Sequence, residues 1–149
     1  MRDYNLQFFQ TRWPDDIFGM ESESVDGYSE VAGCYVLGSE DGTDFIYPWG
    51  RSPVFYIGTT RRLGARIRAH RRWVRRAREE HHTQHFTPLH QYGAAFGVDV
   101  AVYRKRTSQS ITKLESALIT EFYNIYGSIP VANGVWPKQM RTPLGINVT

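Results

Sequence analysis

The run Val54-Phe55-Tyr56-Ile57-Gly58-Thr59-Thr60-Arg61-Arg62-Leu63-Gly64-Ala65-Arg66-Ile67-Arg68-Ala69-His70 changes period once, at Gly58. Before it, apolar and aromatic residues with strong sheet preference predict a strand. After it, Leu63, Ile67 and Val74 recur at near-helical spacing, His70 fills the gap in that stripe, and arginines occupy the rest. This predicts an amphipathic basic helix of about four or five turns, ending near Glu79 or Glu80 and capped by Thr59 or Thr60. Upstream, Val31 to Leu37 is a short apolar run closed by Gly38, a second strand. The turn-rich residues between them make the two strands an antiparallel pair with an inserted loop at about 39–53. Downstream, His81 to Gly97 holds four of the five histidines and Pro88, consistent with a short helix. Val98 to Tyr103 alternates as a third strand, and Ile111 to Tyr126 places Ile111, Leu114, Leu118, Phe122 and Ile125 on one helical face, stopped by Gly127. The C-terminal segment, with Pro130, Gly134, Pro137 and Pro143, reads as irregular. The fold class is α/β of the α+β kind, in the order β-β-α-(α)-β-α. Residues 1–30 form an acidic extension that packs on or flanks a domain at 31–149.

Composition bounds the rest. With 149 residues, 41% of them hydrophobic, the chain suits one globular domain with a real core. No window approaches the ~20 apolar residues of a membrane helix, and the first residues lack the apolar stretch of a secretory signal. A single cysteine, Cys34, excludes an internal disulfide and any multi-cysteine zinc site. These features predict an intracellular, cytoplasmic protein. The formal net charge of +3 conceals an asymmetry. Residues 1–44 carry ten acids against Arg2 and Arg12, a balance of −8, whereas residues 61–78 carry nine arginines and no acid. Like charges at that density repel one another, and a polyanion relieves them best, because each docked phosphate releases a condensed counterion. The alternative is a solvated helix face partly neutralised by the protein's own acidic segment.

Taken singly, the strand tyrosines and helical acids say little; their order says more. Gly33-Cys34-Tyr35 lies in the first strand and Tyr56-Ile57-Gly58 closes the second. Arg66 follows eight residues after Gly58, His70 one turn later, then a helical Glu115, and Asn133 after that helix. This ordered set resembles the GIY-YIG endonuclease family over about residues 31–135. Two departures stand out: Cys34 replaces the usual isoleucine, and the connection from Gly38 to Val54 is longer than the family's tight hairpin. The resemblance implies a small three-stranded antiparallel sheet flanked by helices, and hydrolysis of DNA phosphodiesters with Mg²⁺ or Mn²⁺. It implies Tyr35, Tyr56, Arg66 and Glu115 as the catalytic set, Glu115 as the metal ligand, and His70 and His85 as active-site histidines. Gly58 would let substrate approach the sheet end.

Those residue types suit that chemistry. One glutamate fits a hard divalent ion that keeps several waters. Arginine offers a charged planar fork to non-bridging oxygens. A tyrosine, with a free pKa near ~10, would need nearby positive charge to act as general base, and histidine titrates near neutrality. Arg61, Arg62, Arg68, Arg71, Arg72 and Arg75, with Asn133, are the candidate nucleic-acid contacts. Duplex DNA is the expected partner, with specificity from the inserted loop, a homodimer or a partner protein. Each residue also has a plainer reading. The tyrosines suit half-buried strand positions, His70 a core position, and Asn133 a turn beside Gly134. Thr112-Lys113-Leu114-Glu115 fits a capping box that would consume Glu115 at the helix start. The rival function is a nucleic-acid-binding module that uses the arginine helix without cleaving. A membrane-surface role is weaker, because the helix's apolar side is narrow and needed for the core.

Overall fold

A computed structural model describes residues 12–80 and 85–134. His81 and His82, and the C-terminal prolines at 137 and 143, lie outside the described residues. In chain order the elements are β1 (Asp16–Gly19), a 3-10 turn (Glu23–Val25), β2 (Gly33–Ser39), β3 (Phe45–Tyr47), β4 (Gly50–Ser52), β5 (Val54–Thr60), α1 (Leu63–Glu79), α2 (Pro88–Phe96), β6 (Val98–Arg104) and α3 (Ile111–Tyr126). The architecture is mixed α+β with antiparallel sheets. The main sheet has four strands in the order β1-β6-β2-β5, not the expected three. The extra strand, β1, comes from the acidic leader and pairs along β6, with Asp16 opposite Val102 and Gly19 opposite Asp99. Its four residues are too short and too mixed to announce a strand. None of the described helices is long and apolar enough to cross a membrane.

Alternation along the central strands divides the core in two. On one face Tyr35, Leu37, Val100 and Val102 meet Leu63, Ile67 and Val74 of α1 and Leu89 of α2. On the other, Cys34, Val36, Ile57 and Ala101 meet Leu114, Leu118, Ile119 and Phe122 of α3. With both faces covered, β2 is buried along its whole length, which is why it reads as a continuous apolar run.

The leader belongs to this core. Met20 and Val25 are buried against the α1 side of the sheet. Leader carbonyls also cap the basic helix: the Leu63 amide donates to Val31 O at 2.9 Å and the Gly64 amide to Ser29 O at 3.1 Å. The expected threonine bond falls just before the helix: Thr60 Oγ1 accepts from the amide of Arg62 at 3.1 Å, and Arg62, the N-cap residue, makes no side-chain capping bond of its own. Orphan amides at a helix start need acceptors, and here a second strand of chain supplies them.

The inserted connection also differs from expectation. It folds into the β3–β4 hairpin, which docks on the C-terminal end of α3: the Trp49 amide donates to Tyr126 O at 3.0 Å, and Trp49 faces the Tyr123 ring at 6.0 Å. Tyr47 bridges the hairpin to its surroundings, donating to Val54 O and accepting from the Val131 amide. Glu115 lies near the opposite end of that helix, eleven residues or about 16 Å from Tyr126 at the helical rise. The insertion is thus a brace at the far end of the domain rather than a cover over the tyrosines.

If the leader is structural, Met20→Ala should lower unfolding stability by about 2–5 kcal/mol, as for other buried methionines. Urea unfolding of wild type and variant measures this; a loosely attached leader would leave the midpoint unchanged.

Candidate active site

The β2–β5 register sets Tyr35 directly opposite Gly58 and puts Tyr56, two residues before Gly58, on the same face. The Tyr35 and Tyr56 rings lie 6.0 Å apart. Gly58 is what permits this. A Cβ there would stand 2.7 Å from the Tyr35 hydroxyl and 2.6 Å from a Tyr56 ring carbon, closer than real Cβ contacts allow. The space above Gly58 is filled by the two tyrosines, so the glycine admits them rather than a substrate. Gly33 is constrained in a similar way on the neighbouring strand, where a Cβ would collide with the Tyr103 carbonyl of β6.

His70 comes up from α1 beneath these rings. Its Nε2 lies 2.8 Å from the Tyr35 hydroxyl, and its ring centroid is 5.5 Å from Tyr35 and 6.3 Å from Tyr56. One turn earlier on the same helix, Arg66 brings a positive charge that acts on Tyr35, Tyr56 and His70 alike. Glu115 completes the group from α3. Its negative charge reaches Tyr56, and Thr59, at the end of β5, hydrogen-bonds it. Tyr35, Tyr56, Arg66 and Glu115 thus converge although they come from four elements on both sides of the sheet.

The capping rival for Glu115 does not hold. Ser110 is the N-cap of α3, its hydroxyl accepting from the Lys113 amide, so the helix begins before Thr112 and Glu115 lies inside it. Its carboxyl is not spent on capping the helix.

Burial dominates the electrostatics. It pushes the Tyr35 hydroxyl well above the ordinary tyrosine range, the charge of Tyr56 adds to this, and Arg66 only partly opposes them. Tyr56 is raised as well, by burial first, although its bond with Tyr35 works the other way. Burial, then the neighbouring His90 and Arg66, hold His70 down to about 3, so it is neutral at physiological pH. Burial raises Glu115, against the hydrogen bond from Thr59. A carboxylate held partly out of water, with few protein donors, gains from a cation. Among the described residues no group of three or more His, Cys, Asp and Glu is arranged to hold a metal. A single carboxylate of this kind would suit a hard ion that keeps most of its waters.

Two further sequence expectations need correcting. His85 is exposed; it pairs with Glu80 at 3.2 Å and packs on Phe86, apart from the tyrosines. The second histidine to reach the cluster is His90, whose Nε2 lies 3.1 Å from His70 Nδ1. Pro88 at the first turn of α2 could have signalled it, since the helix start fixes which way His90 faces. Asn133 ties the backbone: its side-chain amide accepts from the Ile57 amide at 3.0 Å and donates to Ile57 O at 2.8 Å, which engages the groups it would offer a nucleic acid. With the Ala132 amide on Phe55 O, it closes the outer edge of β5.

The arginines divide into two sets. Arg62 and Arg68 pair with Glu30 at 3.1 and 3.2 Å, Arg71 with Asp26 at 2.6 Å, and Arg75 with Glu21 at 2.5 Å. Four proposed nucleic-acid contacts are thus engaged by the acidic leader, which the attraction of opposite charges favours. The Arg75 guanidinium in turn holds the Glu21 carboxyl below its usual range. Arg76 pairs with Glu80, and Arg78 reaches the Gly93 and Ala94 carbonyls. Arg61, Arg66 and Arg72 are exposed and have no ion-pair partner among the described residues. Two of them, Arg61 and Arg66, line an open groove of about 390 Å³ with Thr60, Arg62, Ala65 and Ala69.

No protein-family model, no curated protein and no solved structure matches the chain.

The neutral histidine has a pH consequence. Its pKa is about 3 folded against 6.5 free, so the unfolded chain takes up the proton first as pH falls. Its contribution to stability is present above about 6.5 and is lost progressively towards about 3. His70→Gln should therefore flatten the acid side of the stability curve. Urea unfolding at about pH 4 and about pH 7 measures this; equal losses in variant and wild type would count against a neutral, buried His70.

Proposed function

We propose that the protein is a divalent-metal-dependent endonuclease that hydrolyses DNA phosphodiester bonds, in keeping with its resemblance to the GIY-YIG family. The convergence of Tyr35, Tyr56, Arg66 and Glu115 on one end of β5 carries this reading. In it, Glu115 holds Mg²⁺ or Mn²⁺, and the ion when bound neutralises phosphate charge and polarises water. Arg66, exposed at the groove beside two alanines, donates to the non-bridging oxygens and offsets the charge that builds on phosphorus. Tyr56, partly exposed and hydrogen-bonded to Tyr35, orients the attacking water and takes its proton as it gives its own to the enclosed Tyr35. Tyr35 must first lose its own proton, and His70 Nε2, 2.8 Å away, is placed to accept it.

The phosphate grip is narrower than nine arginines suggest. Arg61, Arg66 and Arg72 supply it, while the leader-paired arginines hold the fold. With so small a contact, target choice would fall to a second copy of the chain or a partner protein.

Glu115→Gln and Tyr35→Phe should each reduce Mg²⁺- or Mn²⁺-dependent plasmid nicking by at least about a hundredfold while leaving DNA binding intact. Nicking by Glu115→Gln at the wild-type rate would sink the assignment. Salt-dependent binding by a wild-type protein that never cuts would instead favour the non-catalytic binding module.

The two arginine sets separate in a second test. Arg61→Ala and Arg72→Ala should each lower the slope of log affinity against log salt by about one, with melting unchanged. Arg71→Ala should leave the slope alone and lower the melting temperature, because Arg71 is buried against the domain. Fluorescence anisotropy with a short duplex reads the first effect and thermal unfolding the second.

A further inference from the structure

The cluster does not end at His70. From the Tyr35 hydroxyl, hydrogen bonds continue through His70 Nε2 at 2.8 Å, from His70 Nδ1 to His90 Nε2 at 3.1 Å, and from His90 Nδ1 to Thr87 Oγ1 at 3.1 Å. Both ring nitrogens of both histidines are used, and the series runs from a fully buried hydroxyl to an exposed one. Thr87 occupies the N-cap position of α2, yet its side chain makes no capping bond; it faces the His90 ring instead. Trp73 stacks on His90, with centroids 6.0 Å apart and planes at 18°, and covers the middle of the series.

We propose that His90 and Thr87 are positioning and proton-relay residues that carry the Tyr35 proton through His70 to solvent at the start of α2. This inference rests on the endonuclease reading and adds two residues to it. A hydrogen-bonded file of this kind has only two polarities, and only one lets Tyr35 release its proton. In that polarity Tyr35 donates to His70 Nε2, His70 Nδ1–H donates to His90 Nε2, and His90 Nδ1–H donates to Thr87. The transfer breaks the Tyr35 O–H bond and forms Nε2–H on His70. The Nδ1 proton of His70 moves to His90 Nε2, and the Nδ1 proton of His90 moves to the Thr87 hydroxyl. That hydroxyl gives its own proton to water. Both imidazoles end neutral, Tyr35 is left as phenolate, and the attacking water later returns a proton to it through Tyr56.

The test uses the full chain with His90→Ala, His90→Gln and wild type, all checked for cooperative unfolding. Expected is a drop in the single-turnover nicking rate of about tenfold to a hundredfold for His90→Ala, with substantial recovery on adding imidazole. His90→Gln should stay slow, because an amide accepts one hydrogen bond but cannot take one proton and release another. Long-range proton–nitrogen spectra of wild type, with no DNA or metal present, should show Nδ1–H on both His70 and His90. A wild type that cuts, with His90→Ala equally fast or slow without imidazole recovery, overturns the relay alone. Nε2–H on either ring also overturns it. A wild type that cuts no nucleic acid overturns the endonuclease reading, and the spectra still decide the polarity of the file.

Discussion

The nine arginines of α1 and the turn before it set the terms for the rest of the molecule. Such a helix can pack on a sheet only if its charges are met from outside, and the leader meets four of them through Glu21, Asp26 and Glu30. The same leader lends Ser29 and Val31 carbonyls to the helix N-terminus and buries Met20 and Val25 beneath it. Exposed ion pairs are weak one at a time, typically below about 1 kcal/mol, so apolar burial anchors the leader and the pairs orient it. With α1 held in this way, Arg66 and His70 face the end of β5 from one helix turn apart.

The cluster is built around one enclosed group, Tyr35, with the consequences that burial brings. Tyr35 is wholly enclosed, and its hydroxyl is satisfied by a histidine that burial keeps neutral. Each makes the other tolerable in a low-dielectric setting, since a buried polar group without a partner costs on the order of 1–3 kcal/mol. Gly58 is the geometric counterpart: any side chain there would evict one tyrosine or the other. The arrangement is therefore preorganised at Tyr35 and open at Arg66, with a fixed proton acceptor inside and a charge donor facing solvent.

Local periodicity makes most of this legible. The stripe Leu63, Ile67, Val74 does face the core, and the strand runs around Tyr35 and Tyr56 are β2 and β5. Long-range pairing is what local pattern does not encode. Nothing in Asp-Ile-Phe-Gly says that it will lie along β6, and nothing in Ser29 or Val31 says that their carbonyls cap a helix some thirty residues later in the chain. His85 and His90 look alike in sequence; only the start of α2 at Pro88 distinguishes the exposed ring from the half-buried one. The charge asymmetry is visible, but its resolution by intramolecular pairing needs the leader's path in three dimensions.

The hairpin bears on how a nuclease of this size would choose its target. An insertion between β2 and β5 is the obvious candidate for a reading element, yet Trp49 and Tyr47 pin it to the C-terminal end of α3 and to Val131. Backbone contacts of the kind Arg61, Arg66 and Arg72 offer position a duplex without reporting its sequence. None of the described elements near Glu115 presents a free helix or ribbon suited to the major groove, because α1 is committed to the sheet on one side and to the leader along another. In the proposed reaction the chemistry lies at the β5 terminus, and the hairpin braces the C-terminal end of α3.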